Sequence, residues 1–215
     1  MIIDHANALW FNHASFPALL IGRGAFPLFC YAVAVAVMKS GNPRRYAGRL
    51  LVLAVLVQPF YMFAMGTPQG NVIFTLALGV MAAVFSSRLR LWQIYIFYGT
   101  AMASMLLPAP FEFGLVGVML PSAIVLALRG QKSVYPFLLA LLFFINAGDM
   151  LEPLRHGVNL NVWLAMFLIG VASTVLPLLV LDAAKNFKQD GRLLPKYALH
   201  IFYPAHLVIL KLFTL

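Results

Sequence analysis

The chain has 215 residues, of which 63% are hydrophobic and 10% charged, and its net charge is +9. Soluble domains carry ~45–50% apolar and ~25% charged residues, so there is too little polar side chain here to coat a water-exposed surface. The same numbers exclude a disordered chain, the single cysteine excludes a disulfide-stapled secreted domain, and what remains is an all-α polytopic membrane protein, read as one domain over 1–215.

Taken in chain order, Met1-Ile2-Ile3-Asp4-His5 comes first. An apolar stub running into Asp-His reads as the outer end of a helix whose earlier part is missing, so a native first helix is expected to precede it. Phe16–Met38 is long enough to cross ~30 Å of hydrocarbon, a task for ~20 apolar residues, and only Arg23 interrupts it. From Leu50 to Ser87 there is no charge at all, too long a stretch for one span. The cluster Gly66-Thr67-Pro68-Gln69-Gly70 breaks it, which predicts a hairpin of two helices over roughly 49–65 and 71–87. Leu91–Phe111, Phe113–Leu128, Ser133–Gly148, Gly157–Leu181 and Tyr197–Leu215 complete a transmembrane bundle of about eight spans, 133–148 being the shortest.

Loop charge sets the expected orientation. Basic loops (Lys39, Arg44, Arg45, Arg49; Arg88, Arg90; Arg129, Lys132; Lys185, Lys188, Arg192, Lys196) alternate with loops that hold none, only Glu112, or Asp149, Glu152 and Arg155. One side thus carries 12 of the 15 lysines and arginines. That is the positive-inside pattern, and it places residues 1–15 and the C-terminus on the non-cytoplasmic side. A nucleic-acid patch has no reason to alternate with apolar spans, so no nucleic-acid partner is expected and the basic charge is read as topology in a lipid bilayer.

Polar groups inside spans are costly, which makes each a site candidate. Arg23 sits between Gly22 and Gly24 near the outer end of its helix, where glycines permit close approach of another helix or a ligand; snorkelling to the interface is the plainer role. Asp4-His5 is the only adjacent acid–imidazole pair, the combination a general base requires, although a terminal dipeptide is ordinarily solvated. Asn7 and His13 fall in the same segment as background. His206 lies near mid-membrane, where it needs an interhelical partner or a watery cavity, and His200 lies nearer the inner interface. Their spacing completes no metal site. Arg44, Arg45 and Arg49 form the densest basic cluster, explained by topology or by docking of an anionic cofactor. Gln58 and Asn71 bracket the hairpin turn, with helix-to-helix hydrogen bonding as their default role. Cys30 has no basic neighbour to make it a nucleophile.

Asp4-His5-Ala6-Asn7, Gly22-Arg23-Gly24-Ala25-Phe26-Pro27-Leu28-Phe29, the arginine-rich loop, Gly70-Asn71-Val72-Ile73-Phe74 and Phe202-Tyr203-Pro204-Ala205-His206-Leu207 together resemble the TraX family. These are bacterial inner-membrane proteins whose type member acetylates the N-terminal amine of a conjugative pilin. That family is in turn similar to the membrane acyltransferase-3 superfamily, where a histidine near the outer end of the first helix is the proposed base. The resemblance implies an N-acetyltransferase with acetyl-CoA as donor and a pilin subunit as acceptor. His5 would be the catalytic base oriented by Asp4, and Arg23 would stabilise the oxyanion or hold Asp4. Arg44, Arg45 and Arg49 would bind the CoA phosphates, and Asn71 and His206 would line the substrate cavity. An O-acetyltransferase acting on a cell-surface or exported sugar is the alternative within the enzyme class. A small-solute transporter and a non-catalytic conjugation scaffold are the alternatives outside it.

Overall fold

A computed structural model of the chain describes residues 2–11, 15–104, 110–145, 160–184 and 198–213. The helices are α1 (Ile2–Phe11), α2 (Phe16–Arg23), α3 (Ala25–Lys39), α4 (Pro43–Met65), α5 (Val72–Ser86), α6 (Leu91–Ala103), α7 (Gly114–Leu128), α8 (Tyr135–Phe144), α9 (Leu160–Ala184) and α10 (Ala198–Leu212). Among the described residues no strand forms, only an isolated bridge between Gly70 and Phe111. His13, Asp149, Glu152, Arg155, Lys185, Lys188, Arg192 and Lys196 lie outside the described residues.

Local chemistry sets the helix ends. The Asn42 side chain caps α4 by accepting from the Arg45 N–H at 3.0 Å, and Pro43 occupies the first turn, where its missing N–H costs nothing. Gly66 closes α4 in the left-handed region (φ 66°), and its N–H reaches the Met62 carbonyl at 2.9 Å. The expected hairpin turn at 66–70 is therefore present. Arg44, Arg45 and Arg49, expected in a loop at 39–49, instead ride on the first turns of α4, because the Asn42 cap starts the helix early. Gly24 ends α2 and opens α3, with Pro27 in the first turn of α3.

Among the described residues three stretches are long and apolar enough to cross a membrane: Leu20–Lys39, Pro43–Met65 and Leu164–Leu181. Val72–Ser86, Gly114–Leu128, Lys132–Phe144 and Ile201–Leu212 are apolar but shorter. A helix of 15 residues such as α5 is roughly 22 Å long, less than the ~30 Å of hydrocarbon. Among the described residues three stretches reach that length, so the eight spans expected from apolar runs are not confirmed. Capping groups such as Asn71 and the turn at 110–113 use up residues that the apolar run had assigned to helix.

Helix α5 is central, packed between α4 and α7, with α3 also lying on α7 and α10 on α4. Without a hydrophobic drive between helices in lipid, such contacts depend on close approach at small residues. A Cβ on Gly79 would lie 2.7 Å from Pro121 Cγ and 3.1 Å from the Val118 carbonyl oxygen of α7. The end of α3, the start of α4 and the ends of α5 and α7 converge at a basic end of the bundle. The turns at 66–71 and 110–113 meet at the opposite end through the Gly70–Phe111 bridge.

Gly79→Ala is expected to destabilise the bundle by about 1–3 kcal/mol through overpacking. Gly99→Ala on α6, where a Cβ meets nothing within 4 Å, should be neutral or slightly stabilising. Thermal unfolding of the two purified variants in one detergent checks the contrast.

Candidate active site

Helices α1 and α2 fold back on each other as a hairpin. Asn7 clasps it: its Oδ1 accepts from the Ser15 N–H and its Nδ2 donates to the Ser15 carbonyl, both at 3.1 Å. This two-way pairing gives a role to a residue that the sequence left as background. Further along, Asp4 sits directly on Gly22, where a Cβ would fall 2.7 Å from Asp4 Cβ and 2.8 Å from its Oδ1. Glycine at 22 is what admits the carboxylate. The outer side of α1 is tied to α10 by Trp10 Nε1, which donates to the Leu210 carbonyl at 3.2 Å.

Successive helical residues point ~100° apart, so Asp4 facing α2 leaves His5 facing α10. There His5 Nδ1 lies 2.9 Å from His206 Nε2, with the rings nearly parallel. His5 is 2% exposed and His206 6%. The expected orienting of His5 by Asp4 is therefore corrected: the partner of the ring is His206, which supplies the interhelical contact that a mid-membrane histidine needs. His206 Nδ1 is 2.9 Å from the Phe202 carbonyl oxygen. A carbonyl only accepts, so Nδ1 of neutral His206 carries the proton and its Nε2 is an acceptor. His5 Nδ1 must then donate, and His5 Nε2 is left with the lone pair of a base.

A third element arrives from the turn before α7. Gly70 and Glu112 pair their backbones: the Gly70 N–H donates to the Pro110 carbonyl at 3.0 Å, and the Glu112 N–H to the Gly70 carbonyl at 2.9 Å. Thr75 Oγ1 donates to the Glu112 carbonyl at 2.6 Å. Phe113 follows in the left-handed region (φ 64°), unusual for an aromatic residue, and is stacked on Phe26 with ring centroids 3.9 Å apart. The turn directs the Glu112 carboxylate inward, where its charge interacts with those of Asp4 and Arg23. Asp4 Oδ1, Glu112 Oε2 and the Tyr203 hydroxyl are each sealed from solvent without a hydrogen-bond partner among the described residues. Burial pushes the Glu112 carboxyl up from 4.5 to about 7, and the Asp4 charge adds to the rise, while Arg23 and the Val72 N–H at the start of α5 oppose it.

Asn71 is fully buried and committed to structure. Its Oδ1 caps α5 through the Ile73 N–H at 3.0 Å, and its Nδ2 donates to the Ala54 carbonyl at 2.9 Å and to Gln58 Oε1 at 2.8 Å. Gln58 in turn donates to the Gln69 carbonyl at 2.9 Å, locking the hairpin. At the basic end a cavity of about 280 Å³ is lined by Arg44, Arg88 and Arg129, together with Asn42 and Ser87. Arg45 and Arg49, one helical turn apart and therefore on a shared face of α4, are exposed and do not line it. The side chain of His200 lies outside the described residues.

The sequence profile of the TraX family (TraX protein) matches residues 1–214. The chain belongs to the TraX family. It is 26% identical over 231 residues to the "Probable fimbrial assembly protein FimC, serogroup H1" of Dichelobacter nodosus, covering 98% of this chain and 89% of that protein. It is 27% identical over 221 residues to "Protein TraX" of Escherichia coli (strain K12), covering 100% of this chain and 83% of that protein. No solved structure matches.

In this TraX-family chain, sequence reasoning missed Glu112, Tyr203, Arg88 and Arg129. Glu112 was visible as the lone acid between two apolar runs, but a turn charge is ordinarily solvated. The Glu112 carboxyl is raised above its unfolded value, so the folded state holds a proton that the unfolded state releases between pH 4.5 and about 7. Stability should therefore fall as pH rises through that window and level off above it. Glu112→Gln should remove this slope, which melting curves of both proteins across pH 4–8 will show.

Proposed function

We propose that the chain is an acetyltransferase of the bacterial inner membrane, moving an acetyl group from cytoplasmic acetyl-CoA to the N-terminal amine of a pilin subunit at the outer face. Family membership and the fimbrial-assembly name of one relative support a pilin-related role. The observation that carries the chemistry is the 2.9 Å contact of His5 with His206, with the Phe202 carbonyl behind it, because it leaves His5 Nε2 as a base.

The amine nitrogen attacks the thioester carbonyl carbon, forming the C–N bond. His5 Nε2 takes the proton released from nitrogen, and the developing imidazolium keeps its Nδ1–H on His206. The C–S bond then breaks, and His5 returns the proton to the CoA thiolate. Arg23 and Asp4 contribute fixed charge beside this path. Arg44, Arg88 and Arg129 suit the phosphates of CoA by charge-assisted hydrogen bonds. By the positive-inside rule that end faces the cytoplasm. The donor must then reach along roughly 22 Å of α5 to the acid end, which an extended thioester arm threading between helices would achieve. Asn71 acts from behind, holding the start of α5 in place.

Co-expression with a conjugative pilin, followed by intact mass measurement, tests the reading. The pilin should gain one acetyl group at its N-terminus. His5→Ala should lower the rate ~10²–10⁴-fold, the usual worth of a general base. His206→Ala should also impair it, and His206→Gln, whose carbonyl can accept from His5 Nδ1, should restore part of the loss. A pilin left unmodified by the wild-type protein would overturn the proposal, and unchanged acetylation by His5→Ala would overturn the assignment of the base.

A further inference from the structure

Three oxygens from three separate elements lie buried without a hydrogen-bond partner among the described residues: Asp4 Oδ1 on α1, Glu112 Oε2 before α7, and the Tyr203 hydroxyl on α10. Tyr203 is only 8% exposed. Its ring stands edge-on to both imidazoles, with centroids 5.4 Å from His206 and 6.3 Å from His5. Its hydroxyl feels the charge of Glu112, which in turn feels that of Asp4. Tyr203 thus adjoins the imidazole pair, and the charges of Glu112 and Asp4 link the other two oxygens to it. Folded proteins rarely leave such groups unfilled unless something else supplies the donors.

The chemistry of the missing donor follows from the set. Two carboxylates and a hydroxyl call for a cation with several N–H or O–H groups. Calcium takes six to eight oxygens, more than converge here. A primary ammonium brings three N–H donors and one positive charge, matching three acceptors, whereas a hydroxyl brings one donor and no charge. We propose that Asp4, Glu112 and Tyr203 form a receptor for a primary ammonium group, the unmodified N-terminus of the acceptor chain, and that Glu112 is the residue that separates an amine from a hydroxyl acceptor. The inference rests on the transferase reading above and specifies its substrate.

A receptor of this kind also completes the proton inventory. An ammonium must shed two protons to become an amide nitrogen. The first passes to the Glu112 carboxylate, leaving the neutral amine. The second passes to His5 Nε2 as the C–N bond forms, and then to the thiolate as the C–S bond breaks. Glu112 finally releases its proton to water, so the products are the amide, the CoA thiol and one proton. The groups around Glu112 are Asp4 from α1, Arg23 from α2, Tyr61 from α4, the Val72 N–H from α5 and Tyr203 from α10. Within that shell its carboxyl is raised to about 7, so near neutral pH the group exists both as the carboxylate that accepts a proton and as the acid that releases one.

The test compares binding of two peptides to the full-length protein in nanodiscs at pH 7, by calorimetry. One carries a pilin N-terminal sequence with its free amine, and the other has a hydroxyl in place of that amine. The wild type should prefer the amine about 10- to 100-fold, the range for charge-assisted hydrogen bonds. Glu112→Gln should erase most of that preference, Tyr203→Phe part of it, and Glu112→Asp should retain some. Unchanged binding of the hydroxyl peptide by each variant certifies its fold. No amine preference in the wild type, or a full preference in Glu112→Gln, overturns the receptor. Acetylation of the amine peptide by the wild type, run in parallel, judges the transferase reading separately. A Glu112-dependent preference without acetylation sinks only the transferase, and acetylation without that preference sinks only the receptor.

Discussion

Two imidazoles facing each other in a buried place share a single hydrogen, and the rest of the site is arranged around that restriction. The Phe202 carbonyl dictates the protonation of His206, and His206 dictates that of His5. A charge formed on this pair has little water to solvate it, so compensation must come from fixed groups. Burial and the Asp4 charge together outweigh Arg23 and the Val72 N–H in raising the Glu112 carboxyl.

Holding Glu112 in this position has a conformational cost. Phe113 adopts a left-handed backbone that costs an L-residue ~1–2 kcal/mol. Its stack on Phe26, the Gly70 pairing and the Thr75 hydrogen bond all oppose relaxation. Gly117 allows the fit, since a Cβ there would come within 2.6 Å of Phe113 Cβ. Strain concentrated next to candidate chemistry, and held by packing on several sides, is the pattern expected of a functional turn rather than of a passive connector.

Part of the fold was legible because breakers speak directly: the hairpin turn at 66–70 follows from its glycines and proline, whereas the division of the expected span 16–38 into α2 and α3 at Gly24 did not show in its apolar run. Helix lengths were less legible. An uncharged run continues through caps such as Asn71, so it overstates the helix it contains. In the site, Asp4, His5, Arg23 and His206 stood out as polar residues in costly places, yet their pairing did not. Adjacency favoured Asp4 as the partner of His5, whereas helical geometry turns the two side chains to different neighbours. Arg44, Arg88 and Arg129 come from three helix ends, and only the packing of α4, α5 and α7 makes them one cavity. Tyr203 was hidden by its type, because a tyrosine in an apolar helix looks like packing.

The pairing of His5 with His206 spans 201 positions of the chain. During synthesis α1 must wait, with its imidazole unpartnered, while the intervening helices are made and inserted. Until α10 docks, the His5 ring has no Nε2 of His206 to fix its tautomer, and the Trp10 anchor to Leu210 is missing too. The His5–His206 pair is therefore assembled last. A nascent or C-terminally clipped chain would lack this dyad, so the proposed activity would wait for completion of the bundle.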